Sequence, residues 1–243
     1  MKMTALFALL ALSAPLAAQE PAVVAQEKIK TVKESETEID FPVQLMAPQG
    51  DKQVRQDLLG VGVREKTIFK VNVYAMGFYV DLAAAVPVLK KAAGARTLKE
   101  AMKDKEFHAA FLKDDFGKTL RWVMARDVGG EDIAEAFSDS LEPRVKKAKL
   151  SEEARKAAEA AMKTFRAYFS SELTEGTELL FHWEPGGRLH TSVGGVKKGM
   201  ITNLALCTAL FDVYLGDDPI STGAKQSFIE GAWPFLQTQA AAR

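Results

Sequence analysis

Two apolar, glycine-containing runs that follow each other closely constrain the fold of this chain most. The first is GVGVR at residues 60–64, and the second is VYAMGFYV at residues 73–80. Valine, tyrosine and phenylalanine favour strands, so the two runs predict the arms of a β-hairpin. With the tip near Phe69, Arg64 directly faces Tyr74, and their Cβ atoms lie roughly 5 Å apart. A slip of one residue would place the two side chains on opposite faces of the sheet.

Arg64 is the single cation within these two runs. A cation in a mostly buried segment is costly unless another group satisfies it. Arg64 therefore either pairs with a group of the protein or binds an anionic or oxygen-rich ligand. A guanidinium offers a planar fork of donors, and the hydroxyl of Tyr74 would add one more. Together they suit a carboxylate or an enolate oxygen.

The amino terminus has the pattern of a secretory signal. Lys2 precedes an apolar run at residues 5–12, and small residues end at Ala18. This order predicts a signal peptide over residues 1–18 that is removed after Ala18, and hence a periplasmic or secreted protein. The run is too short for a permanent membrane span, and no later run is long and apolar enough to be one. We expect a polar leader over residues 19–37 and one domain over residues 38–243.

Composition excludes several classes of function. Lysine plus arginine and aspartate plus glutamate both number 32, so no net field favours nucleic acid. The single cysteine, Cys207, lies in an apolar pattern typical of a buried core thiol. The three histidines lack metal-ligand spacing, and no glycine-rich phosphate motif is present. We therefore expect no metal, no cofactor and no nucleic-acid partner.

The order of apolar patterns predicts an α+β fold. Strands are predicted at residues 40–46, 106–112, 177–183, 189–193 and 196–200, in addition to the long hairpin over 54–81. Helices are predicted at residues 86–102 with a break at Gly94, 131–141, 151–173 and 202–215, and 116–125 is more helix-like than strand-like. Because hairpins dominate, the sheet should be largely antiparallel, with helices on one face.

The segment GVGVREKTIFKVNVYAMGFYVD, residues 60–81, resembles the chalcone isomerase-like superfamily. Its members share a G-x-G-x-R strand followed by a strand that ends in G-x-Y. Residues 211–221, FDVYLGDDPIS, resemble the last helix and glycine turn of that family, and Ser221 begins its Ser-x-x-x-Lys segment. The resemblance covers residues 38–236. It implies an open-faced, largely antiparallel sheet covered on one face by helices, with a ligand cleft between the two layers.

The resemblance also bears on catalysis. True chalcone isomerases close a flavanone ring with an arginine, a threonine, a tyrosine, an asparagine and a further hydroxyl residue. The corresponding positions here are Arg64, Tyr74, Ile133, Ser140 and Val213. Isoleucine and valine offer no proton or hydrogen bond, and serine is shorter than asparagine. Since the loss of one preorganised donor costs about 10²–10³ in rate, we expect little cyclisation.

The other branch of the superfamily binds fatty acids and keeps the arginine together with a tyrosine. The resemblance therefore implies a non-catalytic, exported binding protein for a fatty acid or a similar apolar carboxylate. Arg64 and Tyr74 would hold the carboxylate, and Ile133, Ser140 and Val213 would line the acyl site. Two alternatives stay open. One is an isomerase of the intramolecular lyase type that acts on an enone with Arg64 as oxyanion donor. The other is a structural protein in which Arg64 is paired internally.

Overall fold

The computed structural model describes residues 29–66 and 71–237. The predicted signal peptide, the first part of the predicted leader and the hairpin tip near Phe69 lie outside these ranges. The end of the predicted leader contains a short strand, β1 (Thr31–Lys33), which pairs antiparallel with β2 (Asp40–Pro42). Residues 31–33 are thus part of the folded structure, because their backbone groups are satisfied by β2.

The main sheet has seven strands whose spatial order follows the chain. They are β3 (Gln44–Gln49), β4 (Lys52–Lys66), β5 (Val71–Val80), β6 (Lys118–Met124), β7 (Glu178–Glu184), β8 (Arg188–Val193) and β9 (Val196–Thr202). Each neighbouring pair is antiparallel. This arrangement confirms the predicted α+β fold with an antiparallel sheet.

Seven helices complete the described part of the chain. They are α1 (Leu82–Ala93), α2 (Leu98–Ala101), α3 (Lys105–Ala110), α4 (Gly130–Lys147), α5 (Glu152–Arg166), α6 (Leu204–Leu215) and α7 (Thr222–Gln237). A capping box starts α2, because the Thr97 side chain accepts from the backbone of Glu100 and the Glu100 side chain accepts from the backbone of Thr97. Ser151 caps α5 as its position suggests. None of the described helices is long and apolar enough to cross a bilayer.

The two faces of the sheet have different environments. On β5, Tyr74, Met76 and Phe78 point into the main core together with helix residues. The residue between the first two, Ala75, belongs to a small cluster on the other face, with Phe41 of β2. This alternation is the strand period of two. The helices therefore cover one face, and the main core lies between them and the sheet, where Cys207 is buried as predicted.

The strand predicted at residues 106–112 is wrong, because this segment contains helix α3. The Asp104 side chain accepts a hydrogen bond of 2.7 Å from the Phe107 backbone and so caps the helix. Phe107, Ala110 and Phe111 are fully buried. Their spacing of three and four residues places them on one helical face. The sequence does not reveal this face, because such a short apolar run also resembles a buried strand.

The helical interpretation of residues 116–125 is also wrong, because residues 118–124 form strand β6. This strand pairs with β5 on one side and β7 on the other. Six of its seven residues are buried. A strand buried on both faces loses the alternation of polar and apolar residues, so its sequence does not differ clearly from that of a buried helix.

Helix α7 was not predicted beyond the motif at residues 221–225, although it is 16 residues long. It contains Gly231 and Pro234, which both disfavour helix interiors. The structure shows why a glycine is needed there, since a Cβ at Gly231 would overlap the carbonyl oxygen of Leu59 on β4. Tertiary contact with the sheet thus outweighs the low intrinsic helix propensity of this segment.

Candidate functional site

The register of the β4–β5 hairpin places Arg64 directly opposite Tyr74. The register predicted from the sequence is therefore confirmed. The regular pairing is interrupted between Arg64 and Glu65. Irregularities of this kind increase the local twist and redirect side chains. Arg64 thus occupies the last position of β4 before the register of the pair shifts.

Helix α7 explains why two glycines precede Arg64 on the same face of β4. A Cβ at Gly60 would lie 2.5 Å from the hydroxyl oxygen of Ser227, and a Cβ at Gly62 would lie 2.5 Å from the Cβ of Ala224. Alternate residues of a strand share a face. Arg64 is therefore the next residue on this face, and its side chain extends past the first turn of α7.

The Arg64 guanidinium is held by a carbonyl group. Its Nη1 donates a 3.1 Å hydrogen bond to the carbonyl oxygen of Ile220, immediately before α7. The neighbouring Ser221 hydroxyl donates to the Val63 carbonyl at 2.9 Å, which ties this loop to β4. Among residues 29–66 and 71–237, no carboxylate forms an ion pair with Arg64. A guanidinium has five N–H donors, and Ile220 accepts from one.

Tyr74 lies beside a second tyrosine that the sequence analysis did not select. The hydroxyls of Tyr74 and Tyr214 are 2.5 Å apart and share a hydrogen bond. Burial raises the pKa of both phenols well above the usual value, and the nearby charge of Arg64 lowers the pKa of each by a smaller amount. Both hydroxyls therefore stay protonated at neutral pH. Because one of them donates to the other, the pair has one proton left to donate to a ligand.

The five residues selected from the sequence all line one cavity of about 270 Å³ between the sheet and the helices. The sheet contributes Arg64 from β4 and Tyr74 from β5, and the helices that cover it contribute Ile133 and Ser140 from α4 and Val213 from α6. Ile133 and Ser140 are seven residues apart, so they lie on the same face of α4.

Apolar and aromatic side chains form much of the cavity wall. The Trp122 ring stacks on the Tyr74 ring with centroids 4.1 Å apart and an interplanar angle of 8°. The Phe137 ring stacks on Trp122 in turn, at 5.4 Å. All three residues line the cavity together with Leu210. The wall therefore suits a hydrocarbon chain, while Arg64 and the tyrosine pair supply polar groups at one place.

Sequence reasoning missed two residues of this site, Trp122 and Tyr214. Trp122 lies on β6, in the segment interpreted as more helix-like, so its direction could not be inferred. Tyr214 is adjacent to Val213, the position selected on α6. A hydroxyl group is thus present one position beyond Val213, the residue aligned with the family's last hydroxyl position. The tyrosine in the motif FDVYLG was the feature of the sequence that could have pointed to this residue.

Charged residues surround the entrance of the cavity. Lys66, Arg126, Asp127 and Asp132 are exposed and line it. Asp127 also accepts a 2.8 Å hydrogen bond from the backbone of Glu175, which holds the loop before α4. Both signs of charge are present, so this rim does not select an anion by field alone. In the described part of the chain, no group of three His, Cys, Asp or Glu residues could hold a metal ion.

Comparison with known proteins identifies the family. The sequence profile described as chalcone isomerase like matches residues 54–229. The chain belongs to the chalcone isomerase-like family. It is 24% identical to Fatty-acid-binding protein 1 of Arabidopsis thaliana over 209 residues, which cover 84% of this chain and 71% of the relative. It is 30% identical to a chalcone–flavanone isomerase of Oryza sativa subsp. japonica over 206 residues, covering 79% of this chain and 87% of the relative.

A solved structure agrees with this family assignment. The crystal structure of a fatty-acid binding protein from Arabidopsis thaliana superposes with a TM-score of 0.71 at 23% sequence identity. The match covers 85% of this chain and 99% of the other. At this identity the likeness shows the chalcone isomerase-like fold. The resemblance predicted from the two sequence motifs is therefore confirmed, whereas the roles of the five site residues in binding stay predictions.

Proposed function

We propose that this protein binds a medium-chain fatty acid or a similar apolar carboxylate in the cavity between sheet and helices. The observation that carries the proposal is the meeting of Arg64 with the Tyr74–Tyr214 hydroxyl pair in a cavity with aromatic walls. Arg64 supplies the positive charge and the fork of donors that a carboxylate accepts. The similarity to Fatty-acid-binding protein 1 supports the same ligand class.

The size of the cavity favours a ligand of moderate length. Its volume of about 270 Å³ lies just below the range of ~300–1,000 Å³ that is common for small-molecule sites. Decanoate is therefore a suitable first probe. Its carboxylate would lie against Arg64 and Tyr74, and its chain would pass along Ile133 and Val213, both of which are buried and apolar.

Isothermal titration calorimetry with decanoate tests the proposal. A charge-assisted hydrogen bond contributes roughly 1.5–3 kcal/mol, so Arg64→Ala should weaken binding about 10- to 100-fold. Arg55→Ala is the matched control, because Arg55 lies on the same strand, is exposed and does not line the cavity. Its contact with Asp57 at 3.5 Å is a surface ion pair, and such pairs contribute little. Absence of binding by the wild type, or equal affinity in a folded Arg64→Ala variant, would refute the proposal.

The second candidate is an isomerase of the intramolecular lyase type, and the 30% identity to a chalcone–flavanone isomerase favours it. Arg64 and Tyr74 could stabilise an enolate oxygen. However, Ile133 and Val213 offer no group that moves a proton or orders water. We therefore propose that the protein does not catalyse this cyclisation. A chalcone absorbance assay distinguishes the two. Rapid cyclisation by the wild type that is abolished in Arg64→Ala would favour the isomerase.

We further propose that the protein acts outside the cytoplasm, in the periplasm or as a secreted protein. The support is the order of Lys2, the apolar run and the small residues that end at Ala18. An exported carrier would meet its ligand in an aqueous compartment, where an apolar carboxylate gains from burial of its chain.

A further inference from the structure

A second space lies next to the proposed binding site. It is a groove of about 480 Å³ between α4 and α5, and it is distinct from the cavity that contains Arg64. Its floor is apolar, because Leu141, Val145 and Met162 line it and are buried. Its rim carries acidic and basic side chains of both helices. A floor of this kind suits a hydrocarbon chain.

One residue lines both spaces. In the described part of the chain, Phe137 is shared by the cavity and the groove, and no other residue is. An α-helix turns by about 100° per residue, so Ile133 and Ser140, which line the cavity, share one stripe of α4. Leu141 and Val145, which line the groove, share another stripe. Phe137 lies between the two stripes, four residues after Ile133 and four before Leu141.

The ring of Phe137 is packed between the sheet and α5. It stacks on Trp122 of β6 with centroids 5.4 Å apart, and it contacts Phe165 of α5 in a T-shaped arrangement at 4.8 Å. The rings of Phe169 and Phe181 also lie against it. Only 5% of Phe137 is exposed. A ring packed in this way is a fixed part of the wall that divides the cavity from the groove.

The same ring lies near the proposed carboxylate site. Trp122 stacks on Tyr74 at 4.1 Å and on Phe137 at 5.4 Å, so one indole is the common neighbour of both rings. The centroids of Tyr74 and Phe137 are therefore no further apart than these two distances together. An acyl chain that begins at Tyr74 and follows this aromatic wall meets Phe137 before it can reach the groove.

We propose that Phe137 sets the upper limit on the length of the acyl chain, because its ring ends the cavity where the groove between α4 and α5 would otherwise continue it. The inference rests on the proposed function, since it concerns the far end of the ligand whose carboxylate Arg64 holds. With the ring in place, the additional methylene groups of a longer chain stay in water and gain nothing from burial. Without the ring, they would enter the groove and lie on Leu141 and Met162.

Calorimetry with decanoate and tetradecanoate, each below the concentration at which it forms micelles, tests the inference. The wild type should bind tetradecanoate no more tightly than decanoate. Phe137→Ala should bind tetradecanoate roughly 10-fold more tightly than decanoate, because each methylene group that becomes buried raises affinity about fourfold. The readout is the ratio of the two affinities within one protein, so a general loss of affinity in the variant does not affect it.

Phe111→Ala is the matched control. Phe111 is a fully buried phenylalanine of the same core, but it packs on Phe78 and Phe107 and lines neither space. Its truncation also leaves a cavity in the core, yet it should keep the wild-type ratio. Phe137→Leu is a second variant that retains a buried apolar side chain. It should change the ratio in the same direction as Phe137→Ala, by a smaller factor.

A methionine methyl signal shows where the tail of the chain lies. Met162 lines the groove but not the cavity, so its ¹³C-labelled methyl group, identified by its loss in Met162→Leu, reports on the groove. In Phe137→Ala, tetradecanoate should shift this signal and decanoate should not. In the wild type neither ligand should shift it. A shift in the wild type, or no shift with tetradecanoate in Phe137→Ala, would overturn the inference.

The calorimetric outcomes separate this inference from the proposed function. Tighter binding of tetradecanoate than of decanoate by the wild type would overturn the inference and leave the carboxylate site intact, whether or not the variants fold. An unchanged ratio in folded Phe137→Ala and Phe137→Leu, or an equal rise in Phe111→Ala, would also overturn it. Absence of binding for both ligands by the wild type would overturn the proposed function and the inference together.

Discussion

Tyr74 and Arg64 differ in how each would act on a carboxylate. Arg64 brings a full charge and several donors, whereas Tyr74 brings a single neutral hydroxyl that already shares a hydrogen bond with Tyr214. Burial raises the pKa of Tyr74 well above its usual value, so ionisation does not remove this donor near neutral pH. The two residues should therefore contribute unequal shares of the binding free energy.

We predict that Tyr74→Phe weakens decanoate binding by about 1 kcal/mol, because it removes one neutral hydrogen bond. Arg64→Lys should not restore the wild-type affinity, because an ammonium group cannot present the planar fork of a guanidinium. Titration calorimetry on both variants provides the measurement. A loss in Tyr74→Phe as large as that in Arg64→Ala would show that the tyrosine pair is the principal anchor.

Lys118 is a buried cation that the proposed function does not use. Its side chain is fully buried, and its Nζ donates to the carbonyl oxygen of Lys113 and lies over the rings of Phe116 and Trp183. Burial lowers the pKa of Lys118 to about 7, although the charge of Asp114 opposes this effect. In the unfolded chain the same amine keeps its ordinary, higher pKa, so the two states bind different numbers of protons above pH 7.

This difference predicts a pH-dependent stability. Between pH 7 and 10 the unfolded state binds more protons than the folded state, so the contribution of Lys118 to stability rises with pH. The unfolding free energy of the wild type, relative to Lys118→Met, should increase by roughly 3 kcal/mol over this range. Urea denaturation of both proteins at each pH is the measurement. The exposed Lys197 on β9 supplies the control Lys197→Met, whose difference from wild type should stay nearly constant.

The residues of the site were only partly predictable from the sequence. The motif around Arg64 and the position of Tyr74 follow from strand period and hairpin register, both of which are local. Ile133 and Val213 came from the resemblance, and the structure brings them to the same cavity. Trp122 could not be found in this way, because its role depends on the neighbours of β6 in the sheet, and those are distant in the chain.

Among the elements, α7 and β4 approach each other closely, and this approach depends on glycine. A Cβ at Gly62 would lie 2.5 Å from the Cβ and 2.6 Å from the Cα of Ala224, so backbone or helix must move to accept it. The first turn of α7 also follows Ile220, whose carbonyl holds Arg64. The fit between helix and strand therefore positions the candidate binding group as well as stabilising the fold.

We predict that Gly62→Ala destabilises the protein by roughly 1–3 kcal/mol, the usual cost of overpacking a close contact. It should also weaken decanoate binding, because α7 and the Ile220 carbonyl are displaced. Gly223→Ala is the matched control, since its Cβ would meet nothing within 4 Å and alanine favours a helix more than glycine. Thermal unfolding followed by circular dichroism compares the two. Equal melting temperatures for both variants would contradict the prediction.

Features that depend on neighbouring residues in the sequence were predicted well. Elements whose structure depends on their place in the sheet were not. Thr97 and Ser151 cap α2 and α5, and such residues can be recognised from the sequence because capping involves only the first turn of a helix. Segment 151–173 was predicted as one helix, but α5 ends at Arg166 and Leu173 forms a bridge with Val128. Strand β6 was missed because its burial on both faces is a property of its place between β5 and β7.

The predicted signal peptide and the cavity belong to separate parts of the chain, so export and ligand binding are separate predictions. The domain spans the family match at residues 54–229 and includes the β1–β2 ribbon, which begins at Thr31. Twelve residues, 19–30, would then separate a cleavage site after Ala18 from this ribbon, so removal of residues 1–18 would leave the ribbon's strands intact. The signal peptide and the binding site can therefore be tested in separate experiments.

We predict that the mature protein begins at Gln19, because the charged start, the short apolar run and the small residues before it have the order that a signal peptidase requires. Intact mass spectrometry of protein from the exported fraction is the measurement. Lys2→Glu removes the positive charge and should cause the full-length chain to accumulate in the cytoplasm. Lys28→Glu is the matched control, since it changes the same charge beyond the cleavage site and should leave processing unchanged. A wild-type chain that retains Met1 and stays in the cytoplasm would contradict export, and decanoate binding by that chain would show that the site functions without it.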